Sequence, residues 1–146
     1  MYRRKNSLEV FLVHPGGPFW SKKDAGAWSI PKGESLETED ALDAARREFH
    51  EETGFVAQGE FLDLGTVKQA GGKFVSAWAF EGDCDPADLI SNSCQIEWPP
   101  RSGRTLEFPE VDRGAWFSIV EARERILQGQ RPFLEALSRQ LRPASE

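Results

Sequence analysis

The feature that most constrains this chain is a helix ending in three carboxylates. Residues Glu39 to Thr53 read as helix from both ends: Thr38 suits the N-cap, Glu39 and Asp40 suit the positive end of the dipole, and Gly54 stands just past the end. Leu42, Ala45 and Phe49 cluster on one side as a core face, so the helix has to lie on something apolar. Asp43, Arg46 and His50 face the other way, and His50 reads as a surface residue. At a helical 100° per residue, Glu51 lies about −60° from Glu48 and Glu52 about +40°, so all three acids share one arc. Like charges at these spacings repel by roughly 0.2–0.5 kcal/mol per pair. Carboxylates at a helix C-terminus oppose the dipole by a further ~0.3–1 kcal/mol each. Two readings account for them: a bound divalent metal, since Mg²⁺ prefers hard oxygen ligands, or a solvated acidic face, which most charge clusters are. Helical geometry leaves both open.

The rest of the chain mixes strands and helices. Leu8 to Val13 is almost continuously apolar and suits a strand buried on both faces. Pro15 to Pro18 end it, and a loop follows with Phe19, Trp20, Lys22 and Lys23. Ala27 to Ile30 read as a short strand stopped by Pro31 and Gly33. Phe61–Gln69 and Lys73–Phe80 read as two strands joined by a turn at Gly71-Gly72. The stretch from Glu81 to Pro109 is polar and rich in breakers, and reads as a long loop with a functional role. Ala115 to Phe117 suggest a last short strand. Ser118 and Glu121 make a capping box for a helix through Ile126, and Pro132 opens a final helix in which Phe133, Leu134, Leu137 and Leu141 repeat at helical spacing. The class is α/β or α+β, with helices covering a sheet.

At 146 residues with 39% hydrophobic content, the expectation is one domain over residues 1–146 with one core. The net charge of −6 leaves no basic field for a long nucleic acid, so DNA and RNA are poor partners. A small anionic substrate stays open, because a bound cation reverses the sign of a local site. Cys84 and Cys94 have no metal spacing and read as reduced thiols. No apolar run approaches a membrane span and no signal peptide opens the chain, so the expected location is cytoplasmic.

Residues Gly33 to Phe55 follow the pattern G-x5-E-x7-R-E-U-x-E-E-x-G-U, with U apolar. Gly33, Glu39, Arg47, Glu48, Phe49, Glu51, Glu52, Gly54 and Phe55 all fall in place. The segment resembles the Nudix box, and the chain from about Leu8 to Leu137 is similar to the Nudix hydrolase family. The resemblance implies an α/β/α sandwich around a mixed β-sheet, with the box as loop–helix–loop. It implies Mg²⁺, or Mn²⁺, bound by Glu48, Glu51 and Glu52, with Glu51 a ligand or water activator and the Lys32 carbonyl a further ligand. Glu39 and Arg47 then position the loop. A MutT-like relative has a metal-site glutamate six positions before a tryptophan; Glu110 stands six before Trp116, which makes it the candidate further ligand or general base. Glu97 and Glu107 are reserves. In one departure from the family, Tyr2-Arg3 follows Met1 at once; the expectation is a longer native N-terminus or a shorter sheet edge.

The implied reaction is hydrolysis of a diphosphate linkage in a small, phosphate-containing substrate. Lys32 and Lys73 are the candidate phosphate contacts, with Lys22 and Lys23 weaker. Trp98 leads Trp20 and Trp28 as a base-stacking surface. Trp28-Ser29-Ile30-Pro31-Lys32-Gly33 resembles the lead-in of dinucleoside polyphosphate and diphosphoinositol polyphosphate hydrolases, and Lys73-Phe74-Val75 a strand of the same group. Against this, that group's tyrosine after the box is missing, since Tyr2 is the only tyrosine; Ala70 stands where ADP-ribose enzymes carry a proline. Dinucleoside polyphosphates rank first and MutT-like hydrolysis of simple or oxidised nucleoside triphosphates second. A non-catalytic Nudix-like binding or regulatory module, and an acidic interaction domain, are the competing classes. The box glutamates are intact, which favours the enzyme.

Overall fold

The computed structural model describes residues 1–32, 39–68 and 71–142. Thr38, the expected N-cap, and Gly33 lie outside them. The elements are β1 (Tyr2–Arg4), β2 (Leu8–Pro15), α1 (Ala41–Thr53), β3 (Leu62–Lys68), β4 (Phe74–Ala79), β5 (Ser93–Glu97), β6 (Thr105–Pro109), β7 (Val111–Ser118), α2 (Ile119–Arg125) and α3 (Arg131–Leu141).

The apolar run at Leu8 forms the central strand, and its two faces build two layers. Val10 and Leu12 join Tyr2, Trp28, Phe117, Ile126, Leu134 and Leu137 in a core under α2 and α3. Phe11 and Val13 point the opposite way and pack with Val111, Phe55 and Trp116, while Phe49 of α1 packs with Ala57 and Phe80. Side chains of a strand alternate between faces, so one strand feeds both layers. β2 lies between β1 and β7, antiparallel to each. β3 and β4 form a separate antiparallel hairpin. It is tied to β1 by a parallel bridge between Tyr2 and Glu81, which makes the strand directions mixed. This is the expected α/β architecture with helices on both sides of a mixed sheet.

Several boundaries differ from expectation. The N-cap of α1 is Asp40, whose carboxylate accepts from Leu42 N. The buried positions of α1 are Ala44, Phe49, Glu52 and Thr53, whereas Leu42 and Ala45 are half-buried, because the helix leans on β4 and β7 along its C-terminal half. The Ala27–Ile30 strand shrinks to single bridges at Trp28 and Ser29. The expected long loop instead holds a two-stranded ribbon, β5–β6. Its alternating residues are diluted by exposure on one face and interrupted by Pro99, Pro100 and Gly103, so the strand signal is weak. Ser118 caps α2 as expected. Cys84 and Cys94 are free thiols. Among the described residues no helix is long and apolar enough to cross a membrane.

Gly16 is a point where backbone approach decides the local fold. Its N–H donates to Glu110 O at 2.8 Å, and a Cβ there would run into the Pro109 carbonyl oxygen. Backbone cannot swing aside as a side chain can, so Gly16→Ala is expected to destabilise by roughly 2–3 kcal/mol, the scale of overpacking. A denaturant midpoint equal to that of the parent protein would contradict this.

Candidate active site

The docking of the α1 C-terminus assembles the site. The last carbonyls of a helix have no intrahelical partner. Here Gly54, in the left-handed conformation (φ 79°), returns its N–H to His50 O. Ile90 N–H donates to Thr53 O and Asn92 N–H to Glu51 O, both at 2.9 Å. A segment remote in sequence is thereby fixed beside the box glutamates. Glu110 N–H in turn donates to Asn92 O at 2.9 Å. With its amide nitrogen turned toward the acceptors, the Asn92 side chain donates to Glu110 Oε2 at 3.0 Å and to Glu51 O at 3.2 Å. Asn92 had no signal in the sequence, because nothing in its spacing ties it to the box.

Glu52 is the unusual group. It is buried, and among the described residues its Oε2 has no hydrogen-bond partner. Burial pushes its pKa up to about 8, opposed by the Lys32 backbone N–H and reinforced by Glu110 and Glu48. Burial also raises Glu48, with Arg47 opposing. Arg47 meets the other acids: Nε and Nη2 reach the two oxygens of Glu39 at 2.8 and 3.0 Å. Its Nη1 lies 3.0 Å from Glu48 Oε1 and 3.1 Å from both oxygens of Glu51. The guanidinium offsets the repulsion expected between Glu48 and Glu51.

Among the described residues no three His, Cys, Asp or Glu side chains are gathered tightly enough to form a ready metal cage. The donor chemistry still fits a hard divalent cation. The groups are carboxylates, and one buried oxygen lacks the partner that a buried charge requires.

The candidate substrate residues fall in two places. Lys32 and Lys73 line one cavity of about 720 Å³ between α1, β4 and α3. Its α1 wall is Ala41, Leu42, Ala44, Ala45, Arg46 and Phe49 rather than the box glutamates, and Lys32 reaches Glu52 through its backbone N–H. Trp98 lies half-buried at the far end of the β5–β6 ribbon. Trp20 and Lys23 share a loop in which Lys23 Nζ stands 3.9 Å from the Phe19 ring centroid and 5.1 Å from that of Trp20, while Lys22 is exposed. His14 anchors this loop, with Nε2 donating to Lys23 O at 2.6 Å and Nδ1 facing Asp112 at 2.9 Å. Trp28 is core: it is buried, its Nε1 donates to Asp24, and its ring meets Phe117 edge-on, so it has no free face for a base. Glu97 accepts from Arg101 N and Glu107 from Gln95, both on the ribbon. Of the three downstream acids, Glu110 is the one at the box. His50 is exposed, as expected.

The description "NUDIX domain" matches residues 1–137. No curated protein matches significantly. Among solved structures, the chain is similar to a C. elegans Ap4A hydrolase in a binary complex, with TM-score 0.64, 19% identity, and coverage of 96% of this chain and 92% of that one. It is similar to the NUDIX domain of Shewanella oneidensis NrtR complexed with ADP ribose (TM-score 0.62, 18% identity, 97% and 83% coverage). It is also similar to a MutT protein from Methanosarcina mazei Go1 (TM-score 0.56, 20% identity, 94% and 87% coverage). At these identities the likenesses speak for the fold, and the family match, with the box read above, speaks for the chemistry. The chain belongs to the NUDIX family and is a pyrophosphohydrolase of that family.

Proposed function

We propose that the protein hydrolyses a diphosphate linkage in a nucleotide polyphosphate, with dinucleoside polyphosphates as the first substrate class and nucleoside triphosphates as the second. The observation that carries this is the buried, unpartnered Glu52 Oε2 beside Glu48 and Glu110, an anionic pocket that a cation makes favourable. Glu48, Glu51 and Glu52 would hold Mg²⁺ or Mn²⁺, with Glu48 and Glu51 turning from Arg47 to do so. A divalent ion there supplies charge neutralisation for phosphate oxygens and acidifies the attacking water.

The chain's own groups do the rest. Glu110, held by Asn92, accepts the proton of the water as its oxygen attacks phosphorus in line and the opposite P–O bond breaks. Glu51 is the second group able to take that proton. Lys32 and Lys73 bind phosphate oxygens from the cavity wall. Glu39 and Arg47 keep the box loop in register with the helix. The fold is shared with an Ap4A hydrolase, so the architecture does not stand against a dinucleoside substrate.

The test is kcat/KM across dinucleoside polyphosphates, nucleoside triphosphates, ADP-ribose and inositol pyrophosphates, with Mg²⁺ and with excess EDTA. Dinucleoside polyphosphates are expected to lead, with no turnover in EDTA. A tenfold lead for ADP-ribose, about 1.4 kcal/mol of transition-state binding, would defeat the inference from Lys32.

A further inference from the structure

The β5–β6 ribbon has two faces of different character. Its paired residues run from Ser93–Pro109 to Glu97–Thr105. The pairing extends one step beyond each end, since Glu110 N–H donates to Asn92 O and Trp98 N–H to Arg104 O. Alternation then sorts the side chains. One face carries the successive pairs Asn92–Glu110, Cys94–Phe108, Ile96–Leu106 and Trp98–Arg104. The other carries Gln95, Glu107 and Glu97, which bond among themselves and to the turn. The first face is therefore a row of side chains, a track about 20 Å long at ~3.3 Å per residue from the candidate general base to an aromatic–cation pair, open over its outer half only.

Two observations say what lies on this track. Its near end is covered: the Phe108 ring packs under Gly17, where an added Cβ would come within 2.7 Å of the ring. Its far end is open, with Ile96 and Leu106 exposed and no partner for the Arg101 and Arg104 guanidinium groups or the Trp98 indole N–H among the described residues. The turn that presents them is built rather than loose. Arg101 holds a left-handed backbone (φ 62°), with its N–H bound to Glu97 Oε1 at 2.6 Å. A non-glycine residue kept there points to a constraint beyond chain reversal. The end beside the box is rich in carboxylates, so free guanidinium groups at the far end complement a phosphate lying beyond the cleaved linkage.

We infer that the ribbon is the distal subsite of the enzyme, holding the second nucleoside of a dinucleoside polyphosphate. Trp98 stacks on its base, and Arg104, with Arg101 beside it, binds the adjoining phosphate. The inference rests on the proposed substrate class and extends it to the specific residues that would select two nucleosides over one.

The test is equilibrium binding of diadenosine tetraphosphate and of ATP to the full chain with Ca²⁺ in place of Mg²⁺, alongside Mg²⁺-dependent turnover of both. Trp98→Ala and Arg104→Ala are each expected to reduce the preference for the dinucleotide over ATP by about tenfold, the scale of losing one base–aromatic stack. Gln95→Ala, on the opposite face, keeps the preference of the parent protein. Equal losses for both ligands, no loss in either variant, or a parent protein that binds the two alike would overturn the inference. So would self-association of the chain that Trp98→Ala abolishes, because the face would then belong to a second copy. A parent protein that shows the binding pattern but does not cleave the dinucleotide with Mg²⁺ would defeat the proposed function and leave the subsite standing.

Discussion

Glu52→Gln is expected to lower turnover by roughly 10²-fold or more while making the metal-free protein more stable at pH 8. The first effect is the usual size for losing a charged partner of a phosphoryl-transfer site. The second follows from proton linkage. The folded pKa of Glu52 is pushed up to about 8 from an ordinary 4.5, mainly by burial. The folded state therefore binds this proton more tightly than the unfolded chain, and stability falls as pH rises from about 4.5 to 8. Glutamine is neutral throughout and escapes the loss. The gain at pH 8 is on the order of 2–4 kcal/mol, since each tenfold in proton affinity is about 1.4 kcal/mol, and it vanishes toward pH 4.5. Thermal melts in EDTA at pH 5 and pH 8, together with turnover in Mg²⁺, read both effects. Near-native turnover would remove Glu52 from the metal site, and a melt indifferent to pH would show that the carboxylate is solvated.

Glu110→Gln is expected to lower kcat by roughly 10²-fold with KM nearly unchanged, as for a proton acceptor that acts only in the transition state. Asn92→Ala should lower kcat by about tenfold, because its amide orients Glu110 Oε2. The double variant should be no slower than Glu110→Gln alone, since two residues serving one function do not add. Fully multiplicative losses would show that Asn92 acts through something other than Glu110. A KM that rises while kcat holds would make Glu110 a binding group instead.

Much of this protein is determined by local sequence. The almost continuously apolar run at Leu8–Val13, broken only by Glu9, is satisfied by burial on both faces, and β2 feeds two cores. Gly54 ends α1 because the helix has to close through a left-handed residue. Glu48, Glu51 and Glu52 are brought to the helix end by periodicity alone, and their crowding is legible because three acids there are locally unfavourable. The metal reading came from the resemblance of residues 33–55 to the Nudix box. Other features depend on contacts between distant segments, which no local pattern encodes. Arg47 was legible as a positioning residue, but not as the guanidinium shared by three acids. Asn92 enters the site because the α1 carbonyls need donors and residues 90–92 supply them. Glu52, rather than its neighbours, is the buried acid because of how α1 leans on the sheet, and Lys32 and Lys73 share a cavity only once the β3–β4 hairpin has docked. The β5–β6 ribbon was hidden for the same reason: one of its faces is solvated and the other runs out from the active site, so its strands lack the hydrophobic excess that marks a buried strand. Period and capping are properties of a few successive residues and can be read along the chain. Burial and partner choice depend on which remote segment arrives, and the tertiary structure decided them.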